Sequence, residues 1–454
     1  MTSREPAADA AREPVDRAPD ELQVGDVVEL EIGPVAHGGH CVARHHGRVV
    51  FVRLALPGEV VRVQITEVRK GSFCRGEAIA VLRADPERVD APCVHFHPGG
   101  CGGCDFQHAS GGRQRSLKAA VVREQLQHLA GLDVPVEVQE LPGGGFGWRT
   151  RVRWALDPAG RIGPRAVRSH RVEGVNPTEP CLIAAPGLTE LAATVDVPAG
   201  VRRPASAPAR RQGRQQRGRS GRPELPEVVL TAAGDGSRLA LWPDQVGRSP
   251  APPIIEQAVG RSFTVAADGF WQVHPAAADT LAGAVADALT GIALTGGSAW
   301  DLYGGVGLFA EVLAHAVGPT GSVITVEGDR TASALAAENH ADRPQVSAVL
   351  GAVESAIDDL PDAVDAVVLD PPRAGAGPAL CGQIADRRPS VIVYVACDPA
   401  ALGRDTAALQ EAGYRLDTLR AFDLFPQTHH VECVARFVLV DSAEDAAAGA
   451  PDGR

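Results

Sequence analysis

The sequence predicts an α/β protein: a doubly wound, mostly parallel sheet, preceded by an OB-like β-barrel and a central α+β region. Three observations lead there. From residue 255 to 440, apolar strands (SAWDLYGG, SVITVEGD, VSAVLG, AVVLDPP, VIVYVACDP, ARFVLVD) alternate with Ala- and Leu-rich helical stretches, which is the pattern of a parallel sheet with helices on both faces. From 22 to 85, apolar and polar positions alternate between glycine-rich turns (VGDVVELEIGPV, GRVVFVRLALPGEVVRVQITEV, RGEAIAVL), as short strands of a small barrel would. Between these, 86–254 holds a Cys-, His- and Gly-rich stretch, one helical segment (RQRSLKAAVVREQLQHLAGL) and strand-like pieces such as WRTRVRWAL.

Length and composition set the outer bounds. A chain of 454 residues and 47.3 kDa exceeds what one hydrophobic core usually serves. No apolar run approaches the ~18 residues that cross a bilayer, and residues 1–21, rich in charge, Ala and Pro, lack the apolar core of a signal peptide. A cytoplasmic protein is expected, with disordered tails at 1–21 and 441–454. Nine cysteines, an odd and unevenly spread set, argue for metal or catalytic use rather than a disulfide framework. The net charge of −12 opposes nucleic-acid binding only weakly, because acids crowd the tails while 202–222 holds eight arginines and no acid. The basic stretch 202–224 cannot pack a core and reads as a disordered insertion, offering sequence-independent phosphate attraction or serving as a linker.

Five constellations carry chemistry. In DLYGGVG a strand ends in Asp301 and a turn with Gly304, Gly305 and Gly307 opens a helix, so backbone can approach a ligand. Glu327, closing the next strand 23 residues after Gly304, is placed to accept hydrogen bonds from ribose hydroxyls. This pair alone also admits an NAD-dependent oxidoreductase. In AVVLDPPRAG, Asp370 precedes two prolines that fix a rigid carboxylate at the mouth of the sheet, suited to orienting a planar base. Cys397 ends the fifth strand on the same rim, just before a turn, and Glu432 enters the last strand after two histidines. Uracil C5 is too weak a nucleophile to attack a sulfonium methyl group. Thiolate addition at C6 makes C5 electron-rich, and a carboxylate then removes the C5 proton. Cys93, Cys101, Cys104 and the remote Cys181 form the fifth constellation, which suits a [4Fe–4S] cluster or structural zinc. Cys41, Cys74, Cys381 and Cys433 are expected to be packing residues, and seven histidines between His37 and His108 show no coherent ligand spacing.

From LQVGDVVELEIGPV to the last strand, the chain resembles the TRAM-domain RNA (uracil-5-)-methyltransferase family. The matching motifs are GRVVFV, LPGE, CGGC, WQVHP, DLYGGVG, ITVEGD, DPPRAG, YVACDP and FPQTHHVE. The resemblance implies a TRAM barrel, a domain dependent on S-adenosyl-L-methionine (SAM), an RNA substrate (rRNA or tRNA) and no membrane; a monomer is expected. By position it implies Cys397 as nucleophile, Glu432 as proton acceptor, and Gln272, Tyr303, Glu327 and Asp370 around SAM, with the turn at Gly304 and Gly305 read from its glycines as the backbone approach to that cofactor. It favours the iron–sulfur cluster over zinc. A non-catalytic RNA-binding or assembly protein retaining the fold is the rival reading, which the presence of both Cys397 and Glu432 opposes. The chain departs from the family's usual Ser-Cys-Asn in having Ala396 and Asp398 beside the cysteine. A carboxylate there should raise the thiol's pKa unless something compensates it.

Overall fold

The computed structural model describes residues 22–69, 73–198, 201, 225–242 and 252–440. The expected tails and the basic insertion lie outside these. The described residues form two compact units: 22–34 with 40–86, and 35–39 with 87–440. The short segment 35–39 thus leaves the first unit and packs with the second. The central region expected at 86–254 does not separate from the catalytic region by contacts.

In the first unit, strands β1 (Val27–Glu31), β2 (Cys41–His45), β3 (Arg48–Arg53), β4 (Val60–Val68) and β5 (Phe73–Arg83) form one sheet in the order β1-β4-β5-β3-β2. The period-2 pattern does the sorting: Val61, Val63 and Ile65 are buried while Arg62 and Gln64 face out. Beyond β1, Gly33 N donates to Val42 O and Val42 N to Pro34 O, which joins the two edge strands and curls the sheet toward closure. Position 33 requires glycine, since a Cβ would sit 2.7 Å from Val42 O. In the LPGE turn, buried Glu59 accepts from the backbone N–H groups of Leu56 (2.8 Å) and Asp85 (3.1 Å).

The second unit opens with α1 (Gly111–Ala130), started by the Ser110 side chain accepting from Arg113 N and stopped by Gly131 in the left-handed conformation. Strand β6 (Val138–Glu140) follows, then β7 (Arg151–Leu156), β8 (Ile162–Gly163), α2 (Leu188–Thr194), β9 (Glu227–Ala232) and β10 (Arg238–Leu241). Strands β7 to β10 make a four-stranded sheet in the order β10-β9-β7-β8. A hairpin of β11 (Pro253–Ala258) and β12 (Arg261–Ala266) turns through Val259 and Gly260, both at positive φ.

The remaining elements are α3 (Ala277–Leu289), β13 (Ser298–Leu302), α4 (Leu308–Val317), β14 (Ser322–Glu327), α5 (Arg330–Asn339), β15 (Val346–Leu350), α6 (Val353–Ala356), β16 (Ala366–Leu369), α7 (Pro378–Asp386), β17 (Val391–Ala396), α8 (Pro399–Glu411), β18 (Tyr414–Asp423) and β19 (Glu432–Leu439). They build an eight-stranded sheet in the order β15-β14-β13-β16-β17-β19-β18-β6. Strands β13 to β17 are parallel, while β19 runs antiparallel to β17 and β18. Both faces are covered. Ala299, Val368, Val391, Val393 and Val395 join the core that includes α3 and α4, and Trp300, Val367, Ile392 and Tyr394 join the core that includes α1, α7 and α8. Helix α1 and strand β6, expected in a central region, therefore belong to the catalytic sheet and its cover.

Candidate active site on the carboxyl rim

Side-chain parity gathers the site. In β13, β16 and β17 the residues facing the α3/α4 core are the odd-numbered Ala299, the even-numbered Ala366 and Val368, and the odd-numbered Val391, Val393 and Val395. Extending each strand by its period of two puts Asp301, Asp370 and Cys397 on that same face at the carboxyl end. The antiparallel partner completes the group. Ala396 pairs with Cys433 in the β17/β19 register, so the next step sets Cys397 opposite Glu432, 35 positions away in the chain. Val434 lies in the same core as Val395, which puts Glu432 on the face of Cys397.

The electrostatics follow from that clustering. Burial first, then the charges of Glu432, Asp370 and Asp398, push the Cys397 thiol up to about 12, while Arg373 lowers it. Burial and the neighbouring Asp370 carry the buried Glu432 well above the carboxylate range, with Arg373 opposing. Asp370 rises to about 7 through burial and the charge of Asp301. Asp301, fully buried, also rises to about 7 through burial, although Thr325 Oγ1 donates to it at 3.0 Å. A raised pKa makes a carboxylate a stronger base once it is ionised, at the cost of a smaller ionised fraction.

The glycine turn sits at the end of β13. A Cβ on Gly304 would collide with Thr325 Oγ1 and Asp301 Oδ2, and Gly305 (φ 58°) donates its N–H to Glu327 Oε2 at 2.9 Å. Glu327 Oε1 accepts from Asp329 N at 2.6 Å, so the carboxylate is held by backbone on both oxygens, with a second lone pair left on each. Tyr303, at φ 62°, donates its hydroxyl to Glu354 Oε1 at 2.7 Å. Gln272 is half-buried in the loop before α3, next to buried Trp271.

The segment before Glu432 is seated by the Cys-rich loop. Asp105 N and Phe106 N both donate to Gln427 O, and Asp105 Oδ2 accepts from His429 N (3.0 Å) and His429 Nδ1 (2.6 Å). His430 Nε2 accepts from Arg373 at 3.2 Å, and burial with the neighbouring His429 and Arg373 drives its pKa down to about 3. Both histidines of the FPQTHHVE motif thus fix the loop that delivers Glu432. Lys118, fully buried in α1, donates to Asp423 Oδ1 (2.5 Å) and Phe425 O (3.0 Å).

Cys93, Cys101, Cys104 and Cys181 line one cavity of about 550 Å3. They are close enough that charge on Cys181 and Cys93 raises Cys101, which burial, its main cause, pushes up to about 12 against a hydrogen bond from Gly103 N. Among the described residues, no group of three or more His, Cys, Asp or Glu side chains is set to hold a metal ion. Cys41, Cys74, Cys381 and Cys433 are buried. Lys118, Arg373 and Asp105 adjoin the candidate site and carry no motif role in the sequence. Arg373 lay in view within DPPRAG, whereas the others are joined to the site only by the fold.

A doubly wound α/β enzyme with a thiol and a carboxylate opposed on its ligand-binding rim is the class this geometry defines. Comparison with known proteins makes it specific. The TRAM domain family matches residues 21–79 and the tRNA (uracil-5-)-methyltransferase family matches 355–439. An uncharacterized RNA methyltransferase of Streptomyces coelicolor is 46% identical over 430 residues, covering 91% of this chain and 93% of that protein. The 23S rRNA (uracil(1939)-C(5))-methyltransferase RlmD of Chromohalobacter salexigens is 33% identical over 432 residues, 89% of this chain and 87% of its own. The crystal structure of Pyrococcus abyssi tRNA (uracil-54, C5)-methyltransferase in complex with S-adenosyl-L-homocysteine superposes with a TM-score of 0.63 at 21% identity, over 90% of this chain and all of that one, a likeness of fold. The chain belongs to the TRAM-containing RNA (uracil-5-)-methyltransferase family. The expected family, fold class and enzyme class agree with these likenesses. No helix among the described residues is long and apolar enough to cross a membrane.

Proposed function

We propose that the protein methylates C5 of a uridine in RNA, with SAM as donor, through a covalent bond from Cys397 Sγ to C6 of the base. The observation that carries this reading is the β17/β19 register, whose last pair is Ala396–Cys433 and whose next step brings Cys397 and Glu432 together. Addition of the thiolate to C6 makes C5 nucleophilic; after methyl transfer, Glu432 takes the C5 proton and the sulfur leaves. SAM, when bound, supplies an electrophilic methyl group. Glu327 would hold its ribose, the Gly304–Gly305 turn would let it approach the backbone, and Gln272, Tyr303 and Asp370 would line the remainder. Relatives named for 23S rRNA share more of this sequence than the tRNA enzyme of known structure does, so 23S rRNA is the substrate to present first. The enzyme would act in the cytoplasm as a monomer. Purified protein incubated with SAM and RNA from cells lacking the gene should produce 5-methyluridine, mapped by mass spectrometry; no such product from either rRNA or tRNA would overturn the assignment.

Glu327→Ala should weaken SAM binding about 100-fold, since two charge-assisted hydrogen bonds contribute on the order of 3 kcal/mol. Isothermal titration of the full chain reads this directly, and an unchanged affinity would remove Glu327 from the cofactor site.

The donor set at the Cys93, Cys101, Cys104 and Cys181 cavity fits a cysteine-ligated [4Fe–4S] cluster, with structural zinc as the competing occupant. Anaerobically purified protein should be brown, absorbing broadly near ~400 nm. Replacing any of the four by serine should bleach it and lower the melting temperature. Colourless protein with stoichiometric zinc would decide for zinc.

A further inference from the structure

Asp398 stands one residue beyond the nucleophile, where its charge opposes thiol ionisation, and the structure supplies a partner for it. Asp398 caps α8: its Oδ1 accepts from Ala400 N (3.0 Å) and Ala401 N (2.9 Å). Its Oδ2 accepts from His37 Nε2 at 3.0 Å. His37 belongs to segment 35–39, which packs with the catalytic unit. That segment has a second anchor at Gly39, where a Cβ would lie 2.6 Å from His429 Cβ, so only glycine allows the approach. His37, Gly38 and Gly39 form one wall of a cavity of about 180 Å3 whose other lining includes Lys118, Arg373 and Cys397.

We propose that His37 is a positioning residue for the nucleophile: as an imidazolium it pairs with Asp398, cancels the charge beside Cys397, and holds segment 37–39 as a wall of the pocket into which the thiol opens. The proposal rests on the reading of Cys397 as nucleophile. It also answers what compensates the aspartate in Ala-Cys-Asp. An asparagine could cap the same helix without a charge and would need no cationic partner.

The groups facing the pair are few. His37 faces Asp398 and, from α1, Glu124; the hydrogen bond to Asp398 is the main cause that raises its pKa, burial opposes it, and both carboxylate charges add to the rise. Burial works against Asp398, but hydrogen bonds from His37, Ala401 and Ala400 hold it below the usual range. The thiol faces Glu432, Asp370, Arg373 and Asp398, and His429, His430 and Lys118 complete the pocket. His37 therefore keeps its charge below its raised pKa, and the compensation disappears as pH rises through that value.

The test is the rate at which iodoacetamide alkylates Cys397 in the full-length protein, read by peptide mass spectrometry across pH. His37→Gln should slow alkylation about three-fold below ~pH 6.5, the effect of about half a pKa unit from a partly exposed charge. The ratio to wild type should approach one as pH rises through the raised pKa of His37, because wild type loses the same charge there. His37→Lys, charged throughout, should match wild type at low pH and exceed it at high pH. With Asp398→Asn in place His37 loses the partner that keeps it charged, so His37→Gln should have a smaller effect than in the wild-type background. Melting temperature and SAM affinity, measured alongside, report whether each variant is folded. A ratio of one at every pH, or a deficit that does not vary with pH, would overturn the proposal. Because alkylation needs no RNA or methyl transfer, its outcome is independent of whether Cys397 forms an RNA adduct.

Discussion

Glu432→Gln should accumulate a covalent protein–RNA complex that Cys397→Ala cannot form. One step beyond the Ala396–Cys433 pair, the β17/β19 register sets the two residues opposite each other, yet they act at opposite ends of the reaction. Without the thiol nothing activates C5, so Cys397→Ala should bind SAM and RNA and yield no product, a loss of at least about 10⁴-fold in rate. Without the carboxylate, addition and methyl transfer proceed, but the C5 proton stays and sulfur cannot be expelled, so the enzyme stalls with RNA attached. The target uridine must leave its stack to admit attack on the ring, which favours an unpaired or loop position. With labelled RNA on a denaturing gel, a slow band should appear for Glu432→Gln and be absent for Cys397→Ala. Full turnover by Cys397→Ala would sink the covalent mechanism. Loss of SAM binding in that variant would recast the cysteine as structural. Equal adduct levels in wild type and Glu432→Gln would assign proton removal to another group, of which Asp370 is the carboxyl nearest in charge coupling.

The candidate site is legible in the sequence where chemistry and local strand pattern coincide. Four of the five parallel strands are apolar runs that stop at a candidate site residue: Asp301 and the glycine turn after it (β13), Glu327 (β14), Asp370 (β16) and Cys397 (β17) punctuate the rim, and only β15 carries none. Their common face could be inferred from the period of two, but the register that sets Glu432 against Cys397 could not, because it depends on a last strand running antiparallel to its neighbours. Strand β18 has no strand signature in the sequence because its first half is exposed and polar (Arg415, Asp417, Thr418), so it lacks the continuous apolar run of a buried strand. The β6 strand is only three residues long, and the hairpin of β11 and β12 turns on Val259 at positive φ, which no turn rule anticipates. Helix α1 was visible as a helix but not as a cover for the catalytic sheet. Gly403 of α8, whose Cβ would meet Gln125 O at 2.9 Å, shows how closely the two helices approach. His37 and Asp398, 361 residues apart, illustrate what local reading cannot supply. A histidine without ligand spacing and an aspartate in the wrong place each look unexplained until the fold pairs them.

The largest effect on stability is expected at another long-range pair, Lys118 with Asp423. Both side chains are buried, at 0% and 4% exposure, with Nζ and Oδ1 2.5 Å apart. Burial pulls the Lys118 ammonium below the usual lysine range while Asp423 draws it back. Removing one partner leaves an uncompensated charge in the core, so Lys118→Met should cost about 3–5 kcal/mol. Replacing both with apolar residues of similar volume, Lys118→Met with Asp423→Leu, removes the stranded charge and should recover most of that loss. The site gives the pair a further consequence. Asp423 ends β18, Lys118 also holds Phe425 O, and the chain then runs through the Gln427 to His430 segment into Glu432. Lys118→Met should therefore lower methyl transfer beyond what its folded fraction explains, because the loop that delivers Glu432 loses its anchor in α1. Urea unfolding followed by tryptophan fluorescence, with activity normalised to folded protein, separates the two effects. A single substitution costing less than about 1 kcal/mol would mean that water reaches the pair and that its burial does not set the balance. A double variant no more stable than the single one would show that the ion pair itself, rather than the charge left behind, stabilises this junction.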